Sequence, residues 1–433
     1  MGEFIVSVII IIVMLSKKLF FFSIEPQYSA SILGKLELGS LIALFILGMF
    51  AFIKGARLYL QGRTGKRTSK KFDLLNLLLL VSVVFTIGMS LLINLNKTSL
   101  HWDAIALYDA RAKFLEGGMK FSDMPTLSKY DNLNKYYYLL YPPYTSIGHF
   151  FWRNIGIFSQ VPVGVYYSVT LVLLVAIVFF VAKESLGLRA ALLLVLVAAS
   201  NYSIFNISIK EYTNLPYALY IVAGILLLFS YLKTRKLWLF LFGVFFVSSS
   251  IWIRLLEPMW IAVSLAFGIA VFSKRHLLRW SLPFAILLVL SILQYVSWTY
   301  FTKVIAGNPG FLNFSPMTII EPFVAVFTGA PIVVITTVAR VWGAPFFIHF
   351  LALAALLLRW RLVLQKREIL FLGLVLFFST SLYFLEFYFL SFQVDWWSTI
   401  AKSLDRSSTF LIPVSGYLLI YLITSSKVLV RRG

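Results

Sequence analysis

Cysteine is absent from the 433 residues, which excludes a disulfide framework, a thiolate metal site and a cysteine nucleophile. Charge is scarce: 13% of residues carry it, against roughly a quarter in soluble domains. Acids are the rarer sign, 17 Asp and Glu against 38 Lys and Arg. The four histidines, His101, His149, His276 and His349, are scattered and show none of the paired spacings of a zinc-binding helix. No repeat of fixed period, low-complexity tract or polar stretch long enough for a soluble domain is visible. What is present is apolar: 60% hydrophobic residues and a mean hydropathy of +0.90. The composition defines an all-α polytopic membrane protein, read as a single integral membrane domain over 1–433.

A helix crossing the hydrocarbon layer needs about 20 apolar residues, and on that rule about twelve candidates occur. They lie near 4–22, 36–55, 74–95, 161–182, 189–205, 213–232, 237–253, 258–273, 282–299, 344–358, 369–388 and 408–425. The first resembles a signal peptide in its apolar core but lacks a basic start and a small-residue cleavage site, so it is taken as a helix despite Lys17 and Lys18. The formal charge of +21 does not point to nucleic acid, because the cations sit in short clusters between apolar runs, at 54–71, 233–236, 274–279, 359–367 and 427–432. Placing all five clusters on the cytoplasmic side is consistent with alternating spans. It puts 96–160 and 300–343 outside as two long loops, with 1–73 forming a leading pair of helices.

The acids then concentrate on the outer side, from Asp103 through Asp405. The first outer loop is dense in Tyr, Phe and Trp, which suggests short helices at the membrane interface. The run Phe323 to Val338 in the second reads as re-entrant or interfacial, since a span there would invert the last two basic clusters.

Four outer stretches pair acids with cations. Asp103 follows Trp102 at the start of a helical run, where it is either a base at the membrane surface or an N-cap. Asp109 and Lys113 have the spacing of a surface ion pair that Arg111 can join. Lys210 and Glu211 precede a helix beginning Thr213-Asn214-Leu215-Pro216, where Thr or Asn is a ready cap. Arg254 and Glu257 share a tight turn between two apolar helices, as a mutual salt bridge or as ligands for a substrate. The last stretch, Asp395 through Asp405-Arg406, leads into the final helix, and Arg406 is either a phosphate clamp or a snorkelling side chain. Cations for a phosphate leaving group, a carboxylate to take a proton and apolar helices for a lipid tail suit transfer of a sugar from a lipid phosphate. A divalent cation held by Asp103 and another acid stays open.

These stretches resemble the GT-C superfamily of glycosyltransferases that use polyprenyl-phosphate-linked sugars, the mannosyl and aminoarabinose transferase type. WDAIALYDARAKFLEGG is similar to the family's first outer loop, and YYYLLYPPYTSIGHFFW to its Tyr-Pro juxtamembrane element. EYTNLPYALY resembles a Gly-Tyr-Ala-Asp-Leu-Pro segment, with Asn214 where the family often has Asp, and VDWWSTIAKSLDRSSTFLIPV resembles a Ser-Leu-Asp-Arg stretch. Together they cover about 96–413, without the two leading helices. The resemblance implies a bundle capped by outer juxtamembrane helices, Asp103 as catalytic base, Arg406 as lipid-phosphate ligand, and Arg254 and Lys210 as further phosphate ligands. Asp109, Arg111, Tyr141, Glu211 and Glu257 join them as substrate-binding candidates.

The implied reaction inverts the anomeric centre on the extracytoplasmic face of a plasma membrane. The donor is a polyprenyl-phosphate sugar and the acceptor a glycan, lipid or protein hydroxyl. Two alternatives stand beside it. A flippase or transporter of lipid-linked sugars would place ionisable groups at mid-membrane and often shows a two-fold repeat. An oligosaccharide ligase or polymerase would take a pyrophosphate-linked donor.

Overall fold

The computed structural model describes residues 1–61, 73–97, 101, 104–127, 141–255, 257–273, 277–307, 322–326, 330–392 and 397–430, and no strand occurs among them. Among the described residues, seven helices are long and apolar enough to cross a membrane, and three further pairs pass the same test as bent spans. This is a multi-pass, all-α membrane architecture.

The chain opens with α1 (Gly2–Ile24), α2 (Ile32–Gln61) and α3 (Leu74–Asn96). Asp73 caps α3 by accepting from the Asn76 backbone N–H at 3.0 Å. After the first loop come α4 (Tyr144–Asn154) and α5 (Val165–Leu186). A bent pair follows, α6 (Leu188–Ser200) and α7 (Tyr202–Ile209), at 58°. Asn201 sits at that break: its Oδ1 accepts from the Ser203 N–H at 3.0 Å, and its Nδ2 donates to the Pro345 carbonyl at 2.7 Å. One side chain thus satisfies backbone groups freed at this break and at the next, as an apolar environment demands.

Helix α8 (Asn214–Thr234) is the axis of the bundle, with every residue from Asn214 to Phe229 buried. A helix apolar on all faces belongs at the centre. It packs against α9 (Leu237–Ser250) at the closest approach of two backbones: a Cβ on Gly224 would lie 2.6 Å from Val247 Cγ2 and 3.2 Å from the Gly243 carbonyl. Small residues permit this contact where hydrophobic transfer offers helices little net attraction. Helices α9 and α10 (Met259–Phe272) have 14 residues each, about 21 Å of rise and less than the hydrocarbon thickness.

The remaining helices are α11 (Leu277–Tyr300), α12 (Ala330–Trp342), α13 (Phe347–Leu358), α14 (Arg367–Leu390) and α15 (Leu411–Val430). The run expected to be re-entrant falls largely in α12, which meets the segment from Ala344 at 82°. Buried His349 joins the last three helices, through Ser415 Oγ at 2.9 Å and Thr380 Oγ1 at 3.1 Å.

The leading pair divides between lipid and core. Helix α2 lies at the periphery with Leu47 and Phe50 exposed, as does α3 with Val84 and Phe85; such apolar surface suits lipid contact. Helix α1, by contrast, buries Ile10, Ile11, Met14 and Phe21 in the common core. It is part of the scaffold that places the site.

Candidate functional site

The first long loop forms, where it is described, short helical pieces, Ala104–Asp109 running into Ala110–Glu116, then Phe121–Leu127, then α4. Asp109 is 3% exposed whereas Lys113 stands exposed, so the ion pair that the spacing suggested joins a buried carboxylate to a surface lysine. Lys113 Nζ does approach Asp109 Oδ2 at 3.4 Å, but Arg153 from α4 pairs with Oδ1, and His149 Nδ1 lies 3.6 Å away. Burial pushes the Asp109 carboxyl up; His149 and Arg153 outweigh it and hold it below the usual range. His149 is held below the ordinary histidine value, chiefly by burial, and its Nε2 meets Tyr167 Oη at 2.8 Å. Arg111 does not join this group. Its Nε donates to the Leu107 carbonyl at 3.0 Å and its Nη1 to the Tyr141 carbonyl at 2.8 Å.

Tyr141 leads to the next element, because its ring lies 5.4 Å from the Arg254 guanidinium. Arg254 Nη2 contacts Glu257 Oε1 at 2.5 Å, forming the salt bridge that the spacing suggested. Burial lowers the affinity of Arg254 for its proton, but Glu257 and Tyr141 reverse that and hold it above the usual arginine range. Glu257 is 4% exposed and pushed up by burial against the lowering influence of Arg254. The same carboxylate interacts with Ser407 and Arg406, so the final-helix approach closes on the 254–257 turn.

Arg406 stacks on Tyr212 with its guanidinium 4.2 Å from the ring centre. Its neighbour Asp405 interacts with both Arg406 and Lys210, which brings Lys210 into the group. Glu211 is fully buried with a left-handed φ of 56°, and it pairs with Lys97 at 2.6 Å rather than with Lys210. The His101 backbone N–H donates to its other oxygen at 3.1 Å. Thr213 makes no side-chain cap; its Oγ1 shares a 2.7 Å hydrogen bond with Thr145 Oγ1.

Segments far apart in sequence therefore meet at one end of the bundle: 141, 210–212, 254–257 and 405–407. Asp103, the expected base, lies outside the described residues, as does Asp395.

Sequence reasoning assigned no site role to four further residues. Glu386, near the end of α14, interacts with Glu257 and Arg254, and Tyr383 one turn earlier donates to the Ser407 carbonyl at 2.9 Å. Lys18 on α1 pairs with Glu37, which also accepts from Tyr28 and Ser297. Lys17 donates to Tyr166 Oη at 2.8 Å and sits 3.5 Å from the Tyr144 ring centre. Ionisable residues inside apolar stretches were the available signal. Among the described residues, no three His, Asp or Glu side chains gather to hold a metal ion. Comparison with protein families, characterised proteins and solved structures gives no match to the chain.

Proposed function

We propose that this protein is an inverting glycosyltransferase that moves a sugar from a polyprenyl-phosphate donor to an acceptor hydroxyl on the non-cytoplasmic face. The observation that carries this reading is the meeting of Arg254, Arg406 and Lys210 with Glu257 and Asp405 at one end of an apolar bundle. In the reaction, the acceptor oxygen attacks the anomeric carbon as the carbon–oxygen bond to phosphate breaks. The hydroxyl proton passes to a carboxylate, assigned to Asp103 on its sequence position, and polyprenyl phosphate leaves with the bonding pair. Arg406, Lys210 and Arg254 take up the charge that develops on the phosphate.

A flippase for the same lipids is the second reading, favoured by ionisable groups within the apolar spans, Lys17, Lys18 and His349. One experiment separates them. Purified protein in lipid is given a panel of polyprenyl-phosphate sugars with membrane extract as acceptor, and released polyprenyl phosphate is quantified. The transferase reading expects release by wild type and a fall of about 10²-fold or more in folded Asp103→Asn. Equal release by both proteins removes Asp103 from the chemistry. Lipid binding without release, together with movement of the lipid between leaflets, replaces the transferase by the flippase.

A further inference from the structure

Two basic connections far apart in sequence, 233–236 and 359–367, meet on one dipeptide of the last helix. Lys233, in the last turn of α8, places its Nζ 5.8 Å from the centre of the Tyr421 ring. Lys366, the residue before α14, places its Nζ 6.0 Å from the same centre. Both are distances at which a cation and an aromatic ring attract. Arg359, at the end of α13, donates from Nη1 to the Leu422 carbonyl at 2.7 Å. Three helix ends thus bring one cation each to residues 421–422 of α15.

Like charges gathered in one place repel, and an anion relieves the repulsion. The protein supplies none there. At this end Glu184 pairs with Lys236 at 3.5 Å, Asp73 pairs with Arg189, Glu3 is buried, and Glu368 follows Arg367 in the first turn of α14. Among the described residues, no carboxylate forms an ion pair with Lys233, Arg359 or Lys366. Arg359 and Lys366 are half-buried, so ions in solution screen them less than they screen a fully exposed side chain.

The surrounding surface says what kind of anion fits. Arg359 stands between Leu358 and Trp360, which are 85% and 55% exposed, and Leu357 and Leu364 are exposed beside them. Arginine and tryptophan next to exposed leucine is the pattern of a membrane interface. A soluble phosphate leaves that apolar rim in water, whereas an anion carrying acyl chains covers it. We propose that Lys233, Lys366 and Arg359, gathered around Tyr421, bind the headgroup of an anionic phospholipid in the leaflet that meets this end of the bundle. The phosphate oxygens accept from the ammonium and guanidinium groups, and the chains lie along Leu357 and Leu358. The site lies at the end of α8 opposite Asn214 and the 254–257 turn, so it is separate from the candidate site and independent of the transferase reading.

The test uses full-length protein in detergent. Native mass spectrometry gives dissociation constants for phosphatidylglycerol and for phosphatidylcholine with the same acyl chains. Wild type is compared with the double variant Lys233→Gln/Lys366→Gln and with the control Lys54→Gln/Arg57→Gln. The control removes the same charge from exposed positions of α2 just past Phe52, whose ring packs on Trp238 of α9 at the same end. The expected result is that wild type prefers phosphatidylglycerol. Lys233→Gln/Lys366→Gln loses that preference by roughly tenfold or more, and the control keeps it within about twofold. Equal losses in the two double variants would mean that the charge of the whole end attracts the lipid, and the proposed site would fall. No preference in wild type would overturn it as well. Displacement of phosphatidylglycerol by an equal concentration of inorganic phosphate would assign the cations to a soluble anion and remove the lipid as occupant.

Discussion

Arg254 and Glu257 are three residues apart and almost fully withdrawn from solvent, at 11% and 4% exposure of their side chains. Removing one partner strands the other as an uncompensated buried charge, at a cost of about 3–5 kcal/mol. Arg254→Met and Glu257→Gln are each expected to lower stability by this order in a thermal unfolding assay in detergent, and the double variant by clearly less than the sum. Additive losses would show that the two side chains do not act as a pair. Spacing made this pair legible, because both partners lie in one turn. The Asp109 cluster was legible only in part: Lys113 is local, whereas Arg153 and His149 arrive from α4, 40 or more residues later. Long-range burial decides the character of that carboxylate, and no local pattern carries it.

At the scale of elements, the apolar runs announced nearly every helix because lipid and core both demand apolar side chains. They did not say which helices face lipid and which lie at the centre. That distinction rests on small residues at backbone contacts, and Gly224 on α8 is the plainest case. Gly224→Val drives its side chain into Val247 and the α9 backbone, and overpacking of this kind costs about 1–3 kcal/mol. The control is Gly39→Ala in α2, where a Cβ meets nothing within 4 Å and helix propensity favours alanine. The expected outcome is a lower midpoint of thermal unfolding for Gly224→Val and an unchanged or higher one for Gly39→Ala. A tolerated Gly224→Val would mean that α8 and α9 separate freely, and the turn after α9 that carries Arg254 and Glu257 would then lack rigid support. The bends were the least legible feature, since the apolar pattern continues through them. Asn201, which satisfies backbone groups at two breaks, sits within the candidate span 189–205, where nothing in the apolar pattern marks it.

For the whole molecule, one asymmetry organises the site: among the described residues, the basic connection 233–236 lies at one end of the α8–α9 pair and the candidate site at the other. The cations at 233–236 lie between α8 and α9, at the ends opposite Asn214 and the 254–257 turn. Two antiparallel helices joined by that short connection therefore carry the basic cluster and the candidate site to opposite sides of the bundle. The fold sets them at opposite ends, and the excess of Lys and Arg that cytoplasmic loops carry predicts that the basic end faces the cytoplasm. A chain without cysteine is well suited to testing this. Single variants Lys120→Cys, in the first loop, and Lys236→Cys, in the basic connection, both place a thiol at an exposed position. A membrane-impermeant maleimide added to intact cells is expected to label position 120 at once and position 236 only after permeabilisation. The reverse pattern would place the candidate site on the cytoplasmic side. A sugar could then be drawn directly from a soluble nucleotide donor, and the main physical reason for a lipid-phosphate donor would disappear.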